Sequence, residues 1–245
     1  MAAGPSPEHA RLICKLETIA QLSASDRQAL AALPLRIKTF DENTDLVREG
    51  QRPSDCCLIL DGLACRYKVL GAGQRQIMSF HLPGDIPDFM GLHLAVMDHS
   101  LGALTPGRSA YISHAALREL LAERPAIAEA FWRDVLIDAA IFREWLAGVG
   151  RRAARQRIAH LICELSVRLR ALNLIEDHRF HLPVTHAELG DALGLSTVHV
   201  NRVLQDLRRD NLITLRGRTL TILDWTRLRD AGDFDAAYLH LRGHQ

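Results

Sequence analysis

The sequence has no run of 18 apolar residues, and its N-terminus, MAAGPSPEHARLICK, lacks the basic-then-apolar layout of a secretory signal. Both absences predict a soluble, cytoplasmic chain without membrane contact. Cysteine is scarce: Cys14, Cys56, Cys57, Cys65 and Cys163 are odd in number and show no CxxC spacing, which argues against a disulfide framework and against a zinc site. Cys56 and Cys57 adjoin in the run CCLIL. Neighbours in a strand point to opposite faces, so both are expected in buried or half-buried structural positions. No P-loop, HExxH or Ser/His/Asp set is recognisable, so neither an enzyme nor a metal site is expected. Lysine, finally, is missing from residues 151–245, where 15 arginines face 11 acids, while residues 1–150 carry 15 basic and 18 acidic groups. The planar fork of arginine suits phosphate and guanine. The tilt therefore hints at a polyanionic partner, although a net charge of this size also occurs on ordinary surfaces.

A chain of 245 residues can bury a core in one large or two small domains, and two are expected. Residues 8–33 have helical spacing with a Ser/Asp break, which predicts two short helices before Pro34. From Ile37 to about Ile112 short apolar runs alternate with turn signals at Glu49-Gly50, Asp61-Gly62, Gly71-Ala72-Gly73 and Pro83-Gly84. That texture predicts an all-β antiparallel sandwich or barrel.

After Ser113 the pattern is helical, with a stop and restart at Pro125. In the longer piece Ala128, Trp132, Val135, Ala139, Phe142, Leu146 and Val149 step by four and three, a heptad seam that predicts lengthwise packing on another helix. The natural partner is the same helix in a second copy, giving a parallel homodimer. Ile127, Ile137, Ile141 and Trp145 remain to contact the β domain. A further helix follows Gly148-Val149-Gly150, and a hinge is expected at Gly148 to Arg151. The chain thus divides into residues 1–124, a dimerisation helix at 125–149, and a second domain at 150–245.

In that second domain Thr185 can cap a helix, HAELGDAL, with Glu188 completing a capping box. Gly190 lets another helix approach closely, Gly194 supplies the left-handed residue of a tight turn, and Ser196 caps the next helix. Leu189, Leu193, Leu195, Val200 and Val203 fall on the inner side; Thr197, Val198, Asn201, Arg202, Gln205 and Arg208 are left outside. Two helices joined this way, the second polar outside, can enter a major groove, although a helical hairpin that only packs a core buries the same residues. NLITLRGRTLTIL then alternates around Arg216-Gly217-Arg218, a hairpin whose arginine-bearing tip suits a phosphate backbone.

The stretch from about Phe40 to Leu223 resembles the Crp/Fnr superfamily of bacterial transcription regulators. REGQRPSDCCLILDGLACRYKV and SFHLPGD fit the family's cyclic-nucleotide-binding-type roll, residues 125–149 its long helix, and THAELGDALGLSTVHVNRVLQDLRRDNLI its helix-turn-helix. The resemblance implies an α+β fold: an N-terminal antiparallel β jelly roll, a long dimerisation helix and a C-terminal winged helix-turn-helix. It implies a homodimer on double-stranded DNA, RNA polymerase as a partner, and a small-molecule effector.

The departures from the family are informative. Members that bind cyclic AMP carry Gly-Glu-Leu-(Ala/Gly), then Arg-Ser/Thr-Ala. Here the first element is Gly84-Asp85-Ile86-Pro87, and MDHSLGAL puts Asp98 and His99 where the arginine would stand. Proline removes an N–H that could face a phosphate, and a carboxylate repels one. Gly84, Asp85 and His99 remain the pocket candidates, and Arg108-Ser109-Ala110 is read as belonging to the next turn and strand. Only Cys14 precedes the roll, too few for the family's iron–sulfur cluster. His81, His93 and His99 allow a haem reading, but lone histidines are more often structural, and no cofactor is expected.

Where many members have Arg-Glu after the capping serine this chain has Thr197-Val198, whereas Arg202 matches the family's second base-contacting arginine. The resemblance assigns Arg202 to guanine; by their own chemistry Thr197 and Val198 suit thymine methyls, Asn201 adenine or phosphate, and His199 a phosphate. The expected function is a DNA-binding regulator responding to an effector other than cyclic AMP, or to none. A cyclic-nucleotide-responsive regulator is the first alternative; a ligand-binding module or enzyme using the roll without DNA is the second. The C-terminal DFDAAYLHLRGHQ either packs back on the dimer or is loose.

Overall fold

The computed structural model describes residues 5–175 and 177–242, which form two compact units: residues up to 68 with 79–138, and residues 69–78 with 139 onward. The first opens with α1 (Pro7–Glu17) and α2 (Ala24–Ala31), capped by Ser6 and Ser23, the latter in a reciprocal box with Asp26. Along the chain seven strands follow, residues 69–78 among them belonging to the second unit: β1 (Arg36–Phe40), β2 (Asp45–Val47), β3 (Asp55–Asp61), β4 (Ala64–Val69), β5 (Arg75–His81), β6 (Ser100–Ala103) and β7 (Gly107–Ser113). They make two sheets, ordered β1-β7-β3 and β2-β6-β4-β5, with Leu58 opposite Ala110 in one and Ala64 opposite Ala103 in the other. This is the antiparallel roll expected from the alternating texture.

Cys56 and Cys57 take opposite sides of β3. Cys56 packs with Leu12, Leu16 and Phe131, and Cys57 with Val47, Ile59 and Met97 inside the roll. Burial pushes both thiols far above their ordinary range, so they behave as small apolar groups. The stretch read as all β also contains a 3-10 turn at Phe89–Leu92. Its cause is packing: Phe89 stacks on Phe131 with ring centroids 4.7 Å apart, which a continuing strand could not achieve.

Ser113 caps α3 (His114–Glu123), and α4 (Pro125–Arg151) follows at once. Ile127, Ile137 and Ile141 of α4 are buried. The helix is unbroken at Gly148 to Arg151, where a hinge was expected. Helical hydrogen bonding continues through the glycines, with Arg152 N–H donating to Gly148 O at 3.0 Å, and the break comes at Arg152 and Ala153. A long helix absorbs the roughly 1 kcal/mol that each glycine costs it.

The second unit holds α5 (Ala154–Ala171), β8 (Arg179–His181), α6 (His186–Leu193), α7 (Thr197–Arg209), β9 (Ile213–Arg216), β10 (Thr219–Ile222), α8 (Trp225–Ala231) and a 3-10 turn at Ala236–Leu239. The hairpin β9–β10 gains a third strand, since β8 pairs with β10; at three residues, β8 is too short for periodicity to reveal. The C-terminal segment packs back on its own unit, burying Phe234, Leu239 and Leu241. Residues 243–245 of the quoted tail lie outside the described residues. Among the described residues, no helix is long and apolar enough to cross a membrane.

Candidate nucleic-acid interface

The α6–α7 pair is built from local chemistry. Thr185 Oγ1 accepts from Glu188 N–H at 3.2 Å, while Thr185 N–H donates to the Glu188 carboxylate at 2.7 Å. Gly194 ends α6 with φ +64°. Gly190 is demanded by the turn, not by another helix: a Cβ there would lie 2.5 Å from the carbonyl oxygen of Leu195. Leu195 N–H in turn donates to Gly190 O at 3.0 Å. Ser196 Oγ accepts from His199 N–H at 3.3 Å and starts α7.

Leu189, Leu193, Val200 and Val203 are buried. Leu195, expected with them, is only half-buried because it occupies the turn. On the other side Thr197, Val198, Asn201, Arg202, Gln205 and Arg208 are exposed, Val198 at 77%, and His199 is half-buried on the flank. An apolar side chain that open, in a helix whose other face is fully used, is free to meet a partner. Gly217 (φ +59°) turns the hairpin and leaves Arg216 and Arg218 exposed.

Gln205 and Arg208 of α7 line one groove with Thr214 and Arg216 of β9, so helix and wing residues proposed separately from sequence come together. Thr185 and Arg218 do not line that groove. Among the described residues no carboxylate lies within ion-pair distance of Arg202, Arg208, Arg216 or Arg218. Arg209, by contrast, is paired with Asp206 at 2.6 Å.

The roll candidates are occupied by the chain itself. Gly84 has φ +101°, and a Cβ there would approach Lys15 Cβ to 2.7 Å. Asp85 receives Lys15 Nζ at 2.7 Å and Leu82 N–H at 2.9 Å, and Lys15 also reaches Asp134 at 3.2 Å. Arg66 of β4 donates to Pro87 O at 2.9 Å and pairs with Asp138 of α4. Burial would raise the Asp138 carboxyl, but the guanidinium holds it below the usual carboxylate range.

The three histidines take different partners. His81 Nε2 meets Ser79 Oγ at 2.8 Å, His99 Nδ1 meets Asp98 at 2.7 Å, and His93 stacks on Trp132. Burial, with Arg66 nearby, pulls His81 down to about 4. Arg108 lies in β7, half-exposed, and donates to Asp61 at 2.6 Å. Arg66 and Asp138 were not found from sequence. Asp134 and Asp138, acids one turn apart in a largely apolar helix, were the available signal, but no local pattern names a partner 72 residues away.

Along α4, Trp132, Phe142 and Leu146 are exposed at 55%, 48% and 64%, and Ala128, Val135, Ala139 and Val149 are half-buried. Leu136, exposed at 66%, widens this apolar face beyond the expected seam.

Residues 37–124 match the family model of the cyclic nucleotide-binding domain, and residues 156–231 that of the Crp-like helix-turn-helix domain. The chain is 28% identical over 228 residues to the transcriptional activator protein FnrL of Cereibacter sphaeroides, covering 90% of this chain and 91% of that one. It is 29% identical over 199 residues to the nitrogen fixation regulation protein FixK of Rhizobium meliloti, covering 80% and 87%. Among solved structures, FixK2 from Bradyrhizobium japonicum superposes with a TM-score of 0.75 at 22% identity, covering 83% of this chain and all of that one.

Proposed function

The chain belongs to the Crp/Fnr superfamily of DNA-binding transcription regulators, and from that premise we propose that it acts in the cytoplasm as a homodimer on a two-fold symmetric site. The observation that carries this reading is the face of α7 with its unpaired arginines beside an arginine-tipped wing. Uncompensated guanidinium groups are ready to replace the counterions of a duplex. The exposed face of α4 supports the dimer: its apolar side chains find cover against the same face of a second copy. Two reading helices one turn of DNA apart, about 34–36 Å, then engage both half-sites.

Arg202 reads guanine; Thr197 and Val198 contact thymine methyls; Asn201 takes adenine or a phosphate. Thr185, Ser196, His199, Gln205, Arg208, Arg216 and Arg218 hold the backbone. The half-site differs from that of family members that place glutamate at the Val198 position, and RNA polymerase is the partner through which the regulator acts.

The roll responds to an effector other than cyclic AMP, or to none. Supporting this, Asp85, Asp134 and Asp138 surround the cations available there, so an entering phosphodiester meets carboxylates and finds the arginine engaged. The match of residues 37–124 to a cyclic nucleotide-binding domain favours the alternative, and calorimetry with cyclic AMP and cyclic GMP decides: micromolar binding would reverse the reading. For the DNA site, Arg202→Ala should weaken binding to a selected duplex by about 1–3 kcal/mol and relax one base position. An unchanged base preference, read by binding-site selection, would refute the assignment.

A further inference from the structure

Glu164 lies in the middle of α5, fully buried. A buried carboxylate survives only if its oxygens are met by donors, and here the donors come from separate elements. Trp145 Nε1 of α4 donates to Oε2 at 3.0 Å, Tyr238 OH of the C-terminal segment donates to the same oxygen at 2.8 Å, and Arg168 Nη1 of α5 donates to Oε1 at 3.2 Å. One turn earlier, His160 Nδ1 faces Gly232 O at 3.1 Å. A carbonyl only accepts, so the proton sits on Nδ1, and Nε2 is left facing Tyr238 OH at 3.0 Å. Tyr238 has one proton for two buried acceptors, so it bonds Glu164 or Nε2 at any one moment, and burial and Glu164 keep that hydroxyl protonated.

The segment's seat on α5 is shaped for it. A Cβ at Gly232 would come within 2.7 Å of the backbone nitrogen of His160, and Phe234 sets its ring roughly perpendicular to the His160 ring, with centroids 5.1 Å apart. Arg152, at the break after α4, pairs with Glu144 at 2.6 Å and reaches Asp233 O at 3.4 Å. An apolar plug would fill this space equally well. What directed donors add is a fixed geometry among three elements.

We propose that the C-terminal segment Gly232–Leu241 is a clamp that fixes the last turns of α4 against the DNA-reading unit through Glu164, making Trp145 and Tyr238 positioning residues for operator binding. Neither residue touches DNA. Each sets where the reading helices stand relative to the last turns of α4, which carry Phe142, Leu146 and Val149 of the seam. This rests on the dimeric DNA-binding reading, and the test separates the two. The full-length protein first selects a palindromic duplex from a random pool. Affinities are then measured by anisotropy on that duplex and on a version with one base pair inserted between half-sites.

Wild type should discriminate sharply against the insertion. Tyr238→Phe and Trp145→Phe should each lose roughly fivefold or more on the selected duplex but little on the inserted one, so that discrimination collapses while helix content by circular dichroism is retained. If Tyr238→Phe does not fold, Trp145→Phe carries the same test with the aromatic contacts of the segment intact. Equal losses on both duplexes, or no loss on either, would overturn the clamp. A wild-type chain that selects no duplex would overturn the DNA-binding reading and the clamp with it.

Discussion

Two buried groups in the roll titrate in opposite senses. His81, with an ordinary value of 6.5, is drawn down to about 4 by burial and by Arg66, so it is neutral in the folded chain. Below pH 6.5 the unfolded chain takes up that proton first, and stability falls until about pH 4. Asp88, ordinarily at 3.8, is pushed up to about 6 by burial. As pH falls through 6 the folded chain takes up this proton first, and stability rises until about 3.8. The two contributions oppose one another over much the same window. His81→Gln, which retains a partner for Ser79, should therefore gain about 1–3 kcal/mol over wild type between pH 6.5 and 4.5 and nothing at pH 8. Urea midpoints across that range check this, and a difference independent of pH would refute it.

At this scale the sequence was most readable where the chemistry is local. The Thr185–Glu188 box, the left-handed Gly194 and the Ser196 cap each involve residues within four positions, and the structure has all three. Gly190 was noticed for the wrong reason, because a clash with a carbonyl five residues on depends on turn geometry that spacing does not specify.

Helix α4 shows what periodicity can and cannot say. Its inward isoleucines and outward apolar face follow from a 3.5–3.6 repeat. Its charged residues do not: Asp138 looks misplaced until Arg66 of β4 is beside it. Short β8 and the buried Glu164 were invisible for the same reason, since β8 pairs with residues 38–42 positions on and Tyr238 lies 74 positions from Glu164. The outward face invites a direct test. Leu146 is 64% exposed in the single chain, and burying such a side chain contributes about 1.5–3 kcal/mol per copy. Leu146→Glu should raise the dimer dissociation constant by roughly a hundredfold or more, which sedimentation equilibrium would show as monomer. A variant that stays dimeric would place the interface elsewhere.

Across the whole molecule, charge is divided: residues 151–245 carry 15 arginines against 11 acids, while residues 1–150 are net acidic. Binding should therefore depend strongly on salt, through a few arginines rather than overall charge. Arg216→Ala and Arg218→Ala should each lower affinity about equally for selected and random duplexes and reduce the salt slope by about 1. Loss restricted to the selected duplex would instead make the wing a base reader.

The ion pair between Arg66 and Asp138 bears on how such a regulator is controlled. A roll that brings its own carboxylate to its own arginine leaves less uncompensated charge at that point for an anionic ligand to neutralise. Were the roll to take no effector at all, occupancy of the promoter would follow only the number of copies made and destroyed, and control would pass from a small molecule to synthesis and turnover.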